Sequence, residues 1–199
     1  MQDGCDVSSF ARRAEILRAF DWPNEYRQLE KCQHGCSTGN MTLVNGWIGP
    51  GRMLRRESGR PYGFACDVEI GSVHLTVVNL HLAPLGRRNP LAFAVAERQH
   101  LGEMSDRTCR FRGHDGPVVA AGDFNSFWPA PGCWFMRRHW NDCRASGRGR
   151  QRSTRPTFGL PFVIDHVFVR GNVRPVEYRV IEGGGLDHRP VIVGLDFDS

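Results

Sequence analysis

The stretch PVVAAGDFNSF, residues 117–127, decides how the fold is read. Pro117 to Ala121 are uniformly apolar, as in a strand covered on both faces. Gly122 marks a bend or a close approach of backbone. Asp123 and Asn125 stand two positions apart, so in extended chain they project to the same side. A strand closed by an ordinary Asp/Asn turn fits this piece equally well. The choice falls to the rest of the chain.

Two further strand-like runs break their apolar pattern in the same way. In VHLTVVNLHL (73–82), Val73, Leu75 and Val77 share a face with Asn79 and His81, so the apolar side turns polar at its C-terminal end. In FVIDHVFV (162–169), Asp165 lies on the face of Val163, Val167 and Val169, where a carboxylate is costly unless partnered. His166 points the opposite way and reads as structural. A glycine run then leads through Leu186 into Asp187 and His188, ahead of another apolar strand. Each feature alone has a bland explanation, such as a satisfied core histidine or a solvated turn. Three separate strands that become polar at the edge of the core are the trace left by catalytic groups gathered at one end of a sheet.

The remaining elements give an α/β layered domain. Residues 8–20 and 89–107 have helical periodicity, the second with Asn89 as N-cap and Pro90 at its first position. A short helix is expected around 130–140. Strands are expected at 41–48, 63–70, 73–82, 162–171, 173–182 and 189–197, with a hairpin between the second and third and a Gly/Arg-rich turn region before 63.

Composition bounds the function. The chain has 199 residues, 40% apolar and 24% charged, as in a soluble globular protein able to bury a full core. No apolar run approaches bilayer-spanning length, and no secretory signal pattern opens the chain. The net charge is +5, and Lys31 is the single lysine among 26 basic residues. This excess suits a phosphate-bearing substrate without establishing one. The Gly/Ser/Arg segment 144–155 could steer anions, or form a solvated loop. Seven scattered cysteines argue against a disulfide framework, and Cys32, His34 and Cys36 lack a second ligand pair at zinc spacing. A reduced, cytoplasmic setting is the expectation. Carboxylates with an amide are hard oxygen ligands suited to Mg²⁺ or Mn²⁺, and two histidines can serve as acid, base or donor near neutral pH. No pattern for a covalent nucleophile is present. Together these groups point to metal-assisted attack of water on a phosphate ester.

NLHL, GDFN, IDHVFV and LDHRPV, in this order, resemble the motifs of the endonuclease/exonuclease/phosphatase (DNase I-like) superfamily. The resemblance covers 60–199 firmly. It implies a four-layer α/β sandwich, two mixed β-sheets face to face with helices outside. It further implies that His81 contacts the scissile phosphate, Asp123 positions or activates the attacking water, and Asn125 holds a phosphate oxygen. Asp165 would orient His188, and Asp187 would be associated with the metal. Phosphate binding would thus fall to His81, Asn125 and His188, with Mg²⁺ or Mn²⁺ as cofactor.

Two departures from the family pattern stand out. Leu186 occupies a position usually filled by Ser or Thr. At the start, Gln2 and Asp3 stand where the family has Gln-Glu, so Asp3 takes the place of a principal metal ligand. The preceding strand with its asparagine, and the helix after it, have no counterpart, so 1–199 reads as one N-terminally truncated domain. The expectation is a metal-dependent phosphoric ester hydrolase. An inactive remnant or binding module with the same fold is the alternative. Nucleic acid and membrane-lipid head groups both stay open as sources of the ester, and nothing suggests an obligate oligomer.

Overall fold

The computed structural model describes residues 24–27, 30–31, 37–38, 41–55, 61–82, 116–127, 130–146, 153–157, 160–182 and 188–197. Strands β1 (Asn24–Arg27), β2 (Glu30–Lys31), β3 (Ser37–Thr38), β4 (Met41–Val44), β5 (Trp47–Ile48) and β6 (Arg52–Arg55) precede the long β7 (Pro61–Ile70), β8 (Val73–His81) and β9 (Val118–Asp123). Helix α1 (Pro131–His139), β10 (Asn141–Asp142) and the one-turn α2 (Cys143–Ser146) follow. The chain continues through β11 (Arg155–Thr157), β12 (Leu160–Phe162), β13 (Asp165–Arg170), β14 (Val173–Val180) and β15 (Val191–Phe197).

Seven strands form one sheet in the order β10-β13-β9-β8-β7-β5, with β6 also on β7. The sheet is mixed: β8 and β9 run parallel, whereas β7–β8 and β9–β13 are antiparallel. Its two faces are covered differently. On one face Val78, Leu80, Val118, Ala120 and Phe168 pack against Phe135, Met136 and Trp140 at α1. On the other, Phe64, Val77, Val119, Val167 and Val169 meet Val191, Val193, Leu195 and Phe197 of the β14–β15 pair. Fully burying one such Val, Leu or Phe side chain is worth about 1.5–3 kcal/mol, so this two-sided burial fixes the strand register. The result is an α/β sandwich with two sheets face to face and a helix outside. Among the described residues no helix is long and apolar enough to cross a membrane.

Most expected strands form, with four corrections. Residues 41–48 are not one strand: β4 pairs with β1, whereas β5 pairs with β7. The chain bends at Asn45-Gly46, where a Cβ on Gly46 would lie 2.1 Å from the Glu69 carbonyl oxygen. The expected turn region before 63 contains β6, paired with β7. Residues 162–171 split into β12 and β13 because the Ile164 N–H leaves the ladder for the Thr154 hydroxyl. Part of the expected arginine loop is regular structure, in α2 and β11. The β7–β8 hairpin forms as expected, turning at Gly71 with φ +60°. The helices expected at 8–20 and 89–107, and the segment 32–36, lie outside the described residues.

Candidate active site

Sheet register assembles the site. Parallel pairing aligns Val77 with Val119, Asn79 with Ala121 and His81 with Asp123. Antiparallel pairing aligns the same β9 residues with Val169, Val167 and Asp165. The face toward β14–β15 therefore carries cross-strand rows Val77–Val119–Val169, then Asn79–Ala121–Val167, then His81–Asp123–Asp165. The first row is core and the last is wholly polar. Residues 42 and 84 positions apart in sequence (123 − 81 and 165 − 81) become neighbours because strands of alternating pattern end together.

Gly122 makes this convergence feasible. Its φ is +141°, and a Cβ there would sit 2.0 Å from the Leu80 carbonyl oxygen. The glycine is thus a point of close backbone approach inside β9, beside the row that holds Asp123. Extended chain does not continue to Asn125, as the sequence had suggested. Instead Asp123 Oδ1 accepts the Asn125 main-chain N–H at 2.7 Å, and Asn125 adopts φ +47°. This is an Asx-type turn, to which Asn is well suited. The Asn125 side-chain amide uses one of its N–H groups on the Leu82 carbonyl at 2.8 Å. Of the two readings of this piece, the strand closed by an Asp/Asn turn is the one that forms.

His188 approaches from the segment before β15. Its Nδ1 lies 2.9 and 3.0 Å from the two oxygens of Asp165, so Nδ1–H donates to that carboxylate. Its Nε2 then faces Asp123 Oδ2 at 3.9 Å, and His81 Nε2 lies at the same distance from that oxygen. Both gaps exceed a direct hydrogen bond, and an oxygen atom in contact with both partners would sit beside the line that joins them. His81 is exposed, whereas Asp123, Asp165 and His188 are half-buried. Burial is the main influence on the Asp123 carboxyl and raises its pKa, as does neighbouring Asp165. The Asn125 N–H and the two imidazoles act in the opposite direction.

Asp123, Asp165 and His188 each offer a ligand atom, all within 4.8 Å of one another, a group able to take a cation. Asp165 is engaged with Nδ1 of His188, however, and Oδ1 of Asp123 with the Asn125 amide. The hard donors of this group are the carboxylate oxygens of Asp123 and Asp165, on which these contacts place one main-chain N–H and one imidazole N–H. Their chemistry fits an oxygen-seeking divalent ion that draws further ligands from outside the trio. Asp3 and Asp187, the two residues expected to bind metal, lie outside the described residues.

Three supporting residues were not picked out from the sequence. Thr154 hydrogen-bonds the main chain at Ile164 and Asp165. Leu82 supplies the carbonyl that holds Asn125. His166, read only as structural, is buried on the α1 side and donates from Nε2 to the Ser126 carbonyl at 2.9 Å, anchoring the turn that follows Asp123. Their signal in sequence is weak, since main-chain partners leave no trace in side-chain pattern. Of Trp128, Trp134 and Trp140, near the site in sequence, Trp140 is core, Trp134 is exposed with the Arg138 guanidinium 5.2 Å from its ring centroid, and Trp128 lies outside the described residues.

Comparison with known proteins places this geometry in context. Residues 22–188 match the model of the Endonuclease/Exonuclease/phosphatase family. A curated relative, a UPF0294 protein of Vibrio parahaemolyticus, is 27% identical over 127 residues, covering 63% of this chain and 41% of that protein. The chain thus spans less than half the length of that relative. Among solved structures, an endonuclease/exonuclease/phosphatase from Beutenbergia cavernae superposes with TM-score 0.64 at 19% identity, over 94% of this chain and 57% of that one. The human Nocturnin catalytic domain, solved with a bound sulfate anion, superposes with TM-score 0.67 at 12% identity, over 96% and 78% of the respective chains.

Proposed function

Because this chain belongs to the endonuclease/exonuclease/phosphatase family, we propose that it hydrolyses phosphate esters by direct attack of water, with Mg²⁺ or Mn²⁺ as cofactor. The observation that carries the reading is the position of Asp123 Oδ2, 3.9 Å from Nε2 of both His81 and His188, while Asp165 holds His188 from behind.

In this reading Asp123 accepts a proton from the attacking water, oriented in line with the leaving oxygen. His188 in its protonated form, fixed by its Nδ1–H bond to Asp165, donates from Nε2–H to a phosphoryl oxygen, and His81 does so from the opposite strand edge. Asn125 adds a neutral amide donor. Charge that accumulates on the phosphoryl oxygens is therefore met by donors already in place, the arrangement that lowers a barrier most effectively. A divalent ion held by Asp187 and Asp3 would supply Lewis-acid stabilisation of the same charge. Asp3 is one methylene shorter than the glutamate it replaces. A Glu at this position would therefore tighten the site.

The substrate is a phosphomonoester or phosphodiester whose carrier the shared motifs do not select. A panel of plasmid DNA, abasic duplex, sphingomyelin and phosphoinositides, each with Mg²⁺ or with chelator, tests the proposal. Metal-dependent release from one of them is expected. Failure of every ester with soluble chain would favour a binding module that keeps the fold without hydrolysis.

A further inference from the structure

The His188–Asp165 contact joins residues on separate elements, and no strand pairing holds residue 188 itself. One buried residue grips both sides. Thr154 is fully buried, and its Oγ1 accepts the main-chain N–H groups of Ile164 at 3.1 Å and Asp165 at 3.2 Å. Its carbonyl accepts the N–H of Arg189, next to His188, at 2.7 Å, while its own N–H donates to the Phe162 carbonyl at 3.0 Å. Adjacent Ser153 repeats the grip. Its hydroxyl donates to the Phe162 carbonyl at 2.9 Å, and its carbonyl accepts from the Arg189 guanidinium at 3.2 Å.

We propose that Thr154 is a positioning residue that sets the registry of His188 against Asp165. Its hydroxyl fixes the carboxylate side through two main-chain N–H groups, and its carbonyl fixes the histidine side. The geometry stands independently of the hydrolytic reading, on which only the kinetic readout rests. Two buried N–H groups without an acceptor are costly, so loss of Oγ1 would make the backbone at 164–165 shift to find other partners. A displacement on the order of 1 Å in a catalytic pair costs about 10²-fold in rate.

Thr154→Val preserves shape and removes the acceptor, whereas Thr154→Ser keeps it. With bis-p-nitrophenyl phosphate and Mg²⁺, Thr154→Val is expected to lower kcat by about 10- to 100-fold with KM little changed, and Thr154→Ser to retain kcat. In proton NMR, the downfield His188 Nδ1–H resonance, assigned by its loss in His188→Gln, should shift or broaden in Thr154→Val and persist in Thr154→Ser. The NMR arm needs no turnover, so it tests the positioning role even if the hydrolytic reading fails. Should Thr154→Val not fold, Thr154→Cys, a weaker acceptor of similar size, should show the same changes in smaller measure. A folded Val or Cys variant with wild-type kcat and an unmoved resonance would overturn the proposal.

Discussion

Asp123 and His188 face each other across 3.9 Å, with the imidazole braced by Asp165 and the carboxylate braced by the Asn125 amide. Each group is therefore tied down on the side away from the other, and the facing atoms stand too far apart for a direct hydrogen bond. Preorganisation of this kind trades stability for function.

That trade can be measured at Asp123. Burial raises its pKa above the unfolded value of 3.8, so the ionised form is disfavoured in the folded chain. The penalty is complete above the folded pKa and disappears as pH falls through it to the unfolded value. Asp123→Asn should lower kcat by about 10²- to 10⁴-fold. At neutral pH, without added metal, it should also raise the melting temperature. Calorimetry across pH checks the sign: the gain should shrink in acid.

The His188–Asp165 pair should behave as a unit. Asp165→Ala and His188→Ala are each expected to reduce kcat by about 10²-fold or more, and the double variant should lose little beyond the worse single change. Single-turnover kinetics on the three proteins would show this. Additive losses would mean that the two residues act separately.

Gly122→Ala tests the close approach beside the polar row. The added methyl would meet the Leu80 carbonyl oxygen at 2.0 Å, in a backbone conformation that L side chains avoid. A cost of at least about 2 kcal/mol is expected, a fall of roughly 4–8 °C in melting temperature. A melting curve unchanged from wild type would contradict the packing described here.

His166 should impose an acid limit on stability. Burial lowers its pKa from 6.5, opposed by the Ser126 carbonyl, Asp142 and Asp165 and assisted by Arg144. The folded chain therefore keeps the ring neutral, and its contribution is complete above about 6.5 and lost as pH falls below that value. His166→Gln retains an N–H donor and cannot become charged in this range. The stability difference between wild type and variant, measured by urea unfolding, should move against wild type between pH 7.5 and pH 5.5.

Much of this site was legible because strands alternate. His81 and Asp165 broke their apolar faces at the strand end, and both occupy the polar row with Asp123. Their mutual register was not legible, since pairing of β8 with β9 is non-local and depends on core burial. The Asx turn at Asn125 was one of two readings of its segment, between which local sequence does not choose. Thr154 was invisible for another reason: it acts on main-chain groups from within the arginine-rich segment, where no periodicity singles it out. The short strand β6 escaped because four residues hardly display a period, and β5 was merged with β4 into one expected strand.

The most direct test of the central claim is hydrolysis of bis-p-nitrophenyl phosphate by soluble wild-type chain, with Mg²⁺ and with excess chelator, beside Asp123→Asn. Turnover with Mg²⁺, its loss with chelator and a drop of about 10²-fold or more in the variant are the predicted results. Equal rates for wild type and Asp123→Asn would contradict the account.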